Sequence, residues 1–119
     1  MSTLTQQLQH NRSLAINDAR EYELTASGAI PAGQGAIALN HASTVIAATI
    51  ADAKNHQGLV IFKDTSASGT AAHTVTLTSG TFNGTNNVAT FNAPNEALVV
   101  WFDASGNGTV IVNNGVTLS

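Results

Sequence analysis

The run Ala-Leu-Val-Val-Trp-Phe-Asp at positions 97–103 decides the fold of this 119-residue chain. Successive side chains of a β-strand point to opposite faces, and here both faces are apolar. Val99 and Trp101 form one face, and the other consists of Leu98, Val100 and Phe102. A strand that is apolar on both faces is normally covered on both sides. We therefore expect the three-residue face in the core, and Val99 and Trp101 under a second layer or in a subunit contact.

Strand and turn signals continue outward from this run. Turn dipeptides occur at Asn83-Gly84, Asn107-Gly108 and Asn114-Gly115, because Asn and Gly tolerate positive φ. Apolar or alternating segments between turns predict further strands at 22–26, 36–40, 44–50, 58–64, 73–78, 88–92, 109–113 and 116–118. The segment 44–50 has a helical alternative that extends to Lys54, since alanine is abundant there. The pattern predicts an all-β fold, an antiparallel β-sandwich or a jelly-roll-like barrel.

The first 21 residues differ from the rest and are predicted to be an N-terminal arm or a short helix, followed by a single β-sandwich domain over 22–119. Leu4 and Leu8 are four residues apart, which fits one or two helical turns, but this apolar stripe is thin. An arm of this kind can reach a neighbouring subunit, so Leu4 and Leu8 are candidate interface residues together with Val99 and Trp101.

Two segments of the chain match each other. Residues 59–70 and 98–109 are identical at six of twelve positions, and each is an apolar strand that runs into an Asp-opened turn. The Asp side chain can accept hydrogen bonds from backbone N–H groups two or three residues on. The match reflects either convergent hairpin chemistry or two related hairpins at equivalent places in two sheets. The residues expected to form turns are Asp64, Gly69, Asn83, Gly84, Asp103 and Gly108.

Charge is sparse, at 9% of residues against roughly 25% in an average soluble domain. Four basic residues are too few for a nucleic-acid surface, and no basic amphipathic stretch indicates a membrane surface. The chain has no cysteine, and its first 24 residues contain no apolar signal-peptide core. After residue 65 the only Asp, Glu, Lys or Arg residues are Glu96 and Asp103, which leaves that half weakly protected against association.

Candidate catalytic groups are few. The four histidines have no metal-ligand spacing, and Asp64 and Asp103 are already assigned to turns. A glycan hydrolase would need two carboxylates roughly 5–10 Å apart in a cleft. We therefore expect no catalytic, metal or cofactor site and no enzymatic activity. A binding module is the alternative, in which a sugar would stack on aromatic side chains from Phe82, Phe91, Trp101 and Phe102.

The C-terminal half resembles small β-modules of tailed-phage virion proteins. The motifs that carry the resemblance are Lys63-Asp64-Thr65-Ser66, His73-Thr74-Val75-Thr76-Leu77, Gly80-Thr81-Phe82-Asn83-Gly84 and the closing run from 97 to 109. The resemblance covers residues 58–119. The turn at Asn83-Gly84 departs from the pattern, because it lacks the Asp often found there.

The resemblance implies a structural protein on the virion surface, either a capsid decoration (cement) protein or a head-fibre protein. Its partners would be further copies of itself, as a homotrimer, and the major capsid protein or another virion protein. The alternative within the same resemblance is a tail-fibre or adhesin-type module that binds a glycan or receptor. Neither expectation includes nucleic acid, a membrane or a cofactor.

Overall fold

The protein folds as a β-sandwich of two sheets, seen in a computed structural model that describes residues 20–119. The predictions for the first 19 residues, including those for Leu4 and Leu8, lie outside the described residues. The strands are β1 (Glu21–Leu24), β2 (Gly28–Ala29), β3 (Ala36–Leu39), β4 (Ala47–Ile50), β5 (Gly58–Asp64), β6 (His73–Leu77), β7 (Thr81–Phe82), β8 (Val88–Phe91), β9 (Ala97–Phe102), β10 (Asn107–Asn114) and β11 (Thr117–Leu118). The predicted all-β sandwich is confirmed.

The chain alternates between the two sheets. Sheet A has the order β1-β3-β5-β9-β10-β7, and sheet B has the order β11-β8-β6-β4-β2. From β1 to β6 the chain changes sheet after every strand, and each time it returns to a sheet it lies beside the strand that it left there, in the same direction. The pairs β1–β3, β3–β5, β2–β4 and β4–β6 are therefore parallel without a crossover α-helix.

The sheets are mixed, which differs from the antiparallel pairing expected from the turn dipeptides. Antiparallel pairs occur in the second half, between β5 and β9, β9 and β10, β6 and β8, and β8 and β11. The short strand β7 adds one further parallel pair with β10. Turn dipeptides report only local reversals, whereas the first half changes sheet through arches that have no dipeptide signature.

The core lies between the two sheets and is built from every second residue of the strands, the ones whose side chains point inward. Val60 and Phe62 of β5 face the core, as do the predicted Leu98, Val100 and Phe102, and each of these five is at most 1% exposed. Phe82 lies between Phe62 and Phe102, with ring centroids 6.5 and 6.1 Å away respectively. The rings of Phe62 and Phe82 meet edge-on, those of Phe82 and Phe102 are tilted by 45°, and such aromatic packing adds to the stabilisation from ring burial.

Local differences from the predicted elements are few. The segment 44–50 is a strand only over β4, so the helical alternative for it is wrong. A separate short 3₁₀ helix follows at Ala53–His56, and its N-cap Asp52 accepts a hydrogen bond from the N–H of Lys54. The two-residue strands β2 and β7 were not predicted. The matching segments are not equivalent hairpins in two sheets: β9–β10 is a hairpin, whereas the loop after β5 crosses to β6 in the other sheet.

Candidate functional site

The outward side of sheet A carries an apolar surface across three neighbouring strands. The strand register places Leu59 of β5 opposite Trp101 of β9, and Ile61 opposite Val99. On the other side of β9, Val99 pairs with Val112 of β10. These five side chains are contiguous, because cross-strand neighbours on one face approach within about 5 Å. We call this surface the outer apolar face, consisting of Leu59, Ile61, Val99, Trp101 and Val112.

This face is open to solvent in the described part of the chain. Trp101 is 50% exposed, Leu59 57%, Ile61 46% and Val112 51%, and Val99 is half-buried. With Ile111 of β10, at 57%, they include five of the six large hydrophobic residues that are exposed among residues 20–119. Val99 and Trp101, chosen from sequence as a second-layer or subunit contact, thus have no second layer over them within residues 20–119.

The size of the face matches the largest apolar patch of a typical monomer. Four of the five side chains are 46–57% exposed, and together with the less exposed Val99 they present an apolar area on the order of 400 Å². That lies within the roughly 300–600 Å² reached by the largest apolar patch of a typical monomer, and such patches often have a function. The charged side chains on this side of the sheet, Glu21, Glu23 and Lys63, lie toward one margin of the face or beyond it.

The outward side of sheet B is different. Its rows are built largely from threonine: Thr74 pairs with Thr90, which in turn pairs with Thr117, and Thr49 pairs with Thr76. Threonine keeps the β-branched shape that a strand favours and also presents a hydroxyl to water. One outer side of the sandwich is thus suited to water and the other is apolar.

Sequence reasoning found β9 as a two-sided strand but missed its neighbours. Leu59 and Ile61 alternate with the buried Val60 and Phe62, which is the same two-sided pattern as in β9. The signal was therefore present in the sequence. What was absent was the pairing of β5 with β9, which joins the two apolar rows into one surface.

A buried polar cluster joins the loop before β4 to the loop before β6. His73 is fully buried, and its Nδ1 accepts a hydrogen bond from the N–H of Ile46 at 3.0 Å. Its Nε2 lies 2.9 Å from the carbonyl oxygen of His41 and 3.4 Å from Ser66 Oγ. Ser66 Oγ in turn accepts from the N–H of His41 and donates to the His41 carbonyl, both at 3.1 Å.

The hydrogen bonds of this cluster exclude a serine–histidine nucleophile. A general-base histidine needs a free ring nitrogen toward the hydroxyl. Here the backbone N–H of Ile46 occupies Nδ1, so the ring hydrogen is on Nε2 and is donated to the His41 carbonyl. The hydroxyl hydrogen of Ser66 is also given to a carbonyl. The cluster is a clamp between two loops, and its polar groups are satisfied inside the fold.

The predicted turn aspartates do hold turns. The carboxylate of Asp64 accepts from the N–H of Ser66 at 2.9 Å, and that of Asp103 accepts from the N–H of Ser105 at 2.9 Å and of Asn107 at 3.1 Å. The Ser105 hydroxyl, followed by the backbone N–H groups of the turn, lowers the pKa of Asp103 below its usual 3.8. Because β5 and β9 are antiparallel, the two carboxylates lie at opposite ends of the sheet and do not form a pair.

The other predicted turn residues divide into two groups. Asn83, Gly84 and Gly69 have positive φ, as turn positions of this kind require. The prediction is wrong for Gly108, which lies inside β10 and pairs with Phe102. A Cβ at Gly108 would come within 2.6 Å of Val100 and 2.7 Å of Phe102, so this glycine is required by core packing and not by a turn. The turn before β10 has Gly106 at its positive-φ position instead.

Of the four aromatic side chains considered for a sugar platform, three are in the core. Phe82, Phe91 and Phe102 have no exposed surface, and Trp101 alone of the four reaches solvent. Residues 20–119 form no pocket and bring together no group of three or more potential metal ligands. No helix among these residues has the length and hydrophobicity needed to cross a bilayer.

The outer apolar face is thus the feature of the described structure that has no role within a single chain. The comparisons with known proteins found no matching protein family, no matching curated protein and no matching solved structure.

Proposed function

We propose that this chain is a structural subunit that works by assembling with copies of itself, and specifically a tailed-phage virion protein of the capsid decoration (cement) or head-fibre type. The observation that carries the proposal is the outer apolar face, in which Trp101 lies opposite Leu59 and Val99 lies between Ile61 and Val112. The resemblance of residues 58–119 to virion β-modules supports the choice of a phage particle. The protein would be made in the host cytoplasm and become part of the virion.

The outer apolar face lacks charged side chains among its five residues. Proteins that stay apart in solution interrupt apolar surfaces with charge, and charge is rare here, at 9% of the chain. A standard protein–protein interface buries roughly 800 Å² per partner, and the outer apolar face supplies about half of that. The threonine-rich side of sheet B can remain toward water while the apolar side is covered. This arrangement fits a subunit with one assembly side and one solvent side.

A homotrimer on the capsid lattice is the form of assembly that the resemblance favours. In such a trimer the outer apolar face would contact a second subunit or the major capsid protein. Interfaces of permanent assemblies are rich in apolar side chains at their centre, with polar residues at the rim. The margin of the face has this polar character, since Lys63 and Thr109 lie beside the apolar rows.

The test is whether the face mediates particle binding. Purified protein is mixed with phage heads that lack it, the heads are sedimented, and bound protein is counted by quantitative mass spectrometry. We expect saturable binding at hundreds of copies per head, and loss of binding in Trp101→Lys. Val45→Lys is the matched control, because Val45 is 49% exposed but lies away from the face, before β4. Wild-type binding by Trp101→Lys, or no binding by the native chain, would contradict the proposal.

A glycan-binding module is the second candidate, and the exposure of Trp101 is the observation that favours it. An indole half open to solvent can stack on a sugar ring. This function predicts saccharide binding on a glycan array that is lost in Trp101→Ala and kept in Leu59→Ala. Absence of binding across a broad array would count against it.

A further inference from the structure

Strand β10 has an edge that is largely unpaired. It runs for eight residues from Asn107 to Asn114, and on the side away from β9 the short strand β7 pairs only with Asn107 and Gly108. The side chain of Asn83 extends this contact by one residue, since its Oδ1 accepts from the N–H of Val110 at 3.0 Å. No strand of the described chain pairs with residues 111–114 on this side. We call residues 111–114 the open edge.

The other edges of the two sheets are protected against pairing with a further strand. In sheet B, residues 27–30 run alongside β4, where the N–H of Ala47 donates to Ser27 Oγ and the N–H of Ile30 donates to the Thr49 carbonyl oxygen. Residues 117–119 run alongside β8, where Ser119 and Val88 exchange backbone hydrogen bonds. Strand β1 of sheet A carries two exposed carboxylates, Glu21 and Glu23. Very short edge strands and charge on an edge are the usual protections against unwanted pairing.

The open edge has neither protection. Its sequence together with the preceding residue is Val110-Ile111-Val112-Asn113-Asn114, of which the first three residues are β-branched and none is charged or proline. Ile111 and Val112 are 57% and 51% exposed, so side chains as well as backbone are available to a partner. The β-bulge at Ile111 interrupts the register with β9 and adds local twist, but it adds no charge.

We propose that the open edge pairs with the open edge of a second copy of this chain, antiparallel and about a two-fold axis, so that sheet A continues across the two subunits. This inference rests on the proposed self-assembly and names the strand that mediates it. Two identical edges related by a two-fold axis occupy each other, so the contact joins two subunits and does not propagate. In the proposed homotrimer, this contact would link a subunit of one trimer to a subunit of a second trimer. The segment is uncharged, so two copies brought side by side meet no like-charge repulsion.

The pairing is continuous with the outer apolar face. Val112 belongs to both, since it pairs with Val99 and lies at the margin of the face. Edge pairing would therefore place the outer apolar faces of two subunits side by side in one larger surface. A surface of that kind can bind the capsid shell with twice the apolar area of a single subunit.

Residues 1–19 of the chain are the competing occupant of this edge. Their sequence contains one apolar β-branched residue, Ile16, whereas the open edge and Val110 supply three in succession. A strand pairs best with a segment of similar β-propensity. For this reason we assign the edge to a second β10 and not to the N-terminal segment, and the experiment distinguishes the two.

Disulfide mapping tests the geometry directly, because the native chain contains no cysteine. Single-cysteine variants at positions 111, 112, 113 and 114 are mixed in pairs and oxidised, with Val45→Cys as the control. In antiparallel two-fold pairing the residue numbers of all strongly linked pairs add to one constant sum, since facing Cβ atoms are within disulfide reach. Links at every combination, or none, would overturn the pairing.

Sedimentation of charge variants separates this inference from the proposed function. Ile111→Lys should weaken self-association by about ten-fold or more, since like charges would meet across the axis, and Val45→Lys should leave it unchanged. If Leu59→Lys dissociates the assembly while Ile111→Lys does not, assembly stands and edge pairing is overturned. A native chain that neither associates nor cross-links overturns both. Strong cross-links from position 111 to Leu8→Cys or Ile16→Cys would assign the edge to the N-terminal segment instead.

Discussion

Replacing Gly69 with alanine should be among the most damaging single-methyl changes in this protein. Gly69 has a φ of +97° and lies against the backbone of the loop before β4, where an added Cβ would meet the Ala42 carbonyl oxygen at 1.8 Å. A normal contact needs more than 3 Å, so the two loops would have to separate by more than 1 Å. The adjacent carbonyl of His41 accepts from both Ser66 and His73, and that separation breaks the clamp between the loops.

The magnitude follows from comparison with two other glycines. Gly84 also has positive φ, at +79°, but a Cβ there meets nothing within 4 Å, so Gly84→Ala has only the left-handed backbone cost of about 1–2 kcal/mol. Gly28 has neither constraint, and Gly28→Ala should change the free energy of unfolding by about 0.5 kcal/mol or less. Gly69→Ala has the backbone cost plus one or two disrupted buried hydrogen bonds at roughly 1–3 kcal/mol each, about 2–8 kcal/mol in all.

Urea unfolding followed by far-ultraviolet circular dichroism measures all three variants. The slope of unfolding free energy against urea should be the same for each, so that midpoint shifts report stability alone. The order of destabilisation should be Gly69→Ala, then Gly84→Ala, then Gly28→Ala. If Gly69→Ala were no more than about 1 kcal/mol less stable than Gly84→Ala, the close approach of the two loops would be refuted.

Four further predictions concern the core, the clamp, the turn and the outer face. His73→Phe keeps the ring volume but leaves the Ile46 N–H without its buried acceptor, so calorimetry should show a loss of about 2–4 kcal/mol. Gly108→Ala overpacks the core against Val100 and Phe102 and should lose about 1–3 kcal/mol in urea unfolding. The pKa of Asp103 is lowered, so its ionised form stabilises the fold above pH 3.8, and this stabilisation is lost as pH falls through the lowered pKa. The unfolding free energies of the native protein and of Asp103→Asn, measured along an acid titration, should therefore converge at low pH. Trp101→Ala removes a half-exposed side chain, so its unfolding free energy should change by about 1 kcal/mol or less while self-association measured by sedimentation weakens.

The outer apolar face and the open edge share a physical origin. Both exist because sheet A presents β5, β9 and β10 on the side away from sheet B, with β10 longer than the strand that flanks it. Sheet B lacks both features, since its outer side is threonine-rich and its end strands cover their neighbours. This asymmetry is the reason why the proposed assembly uses sheet A and leaves the outer side of sheet B toward water.

The local elements could be read from the sequence because their signals involve residues close along the chain. The alternation over 97–103 and 58–64, and the positive-φ pair Asn83-Gly84, act within a few residues and predicted β9, β5 and the turn before β8 correctly. The burial of Leu98, Val100 and Phe102 followed from the same alternation. Sparse charge is likewise a property of composition, and the association that it predicts stays a prediction.

The tertiary structure decided what depends on distant pairing. Which sheet a strand joins is set by long-range hydrogen bonding, so the parallel first half and the neighbouring positions of β5 and β9 had no local signature. The same holds for Gly108, whose dipeptide resembles a turn but whose position is required by Val100 and Phe102 across the hairpin. The His73 clamp joins groups up to 32 residues apart. Alternation tells which side chains share a face, and only the fold tells what lies over that face.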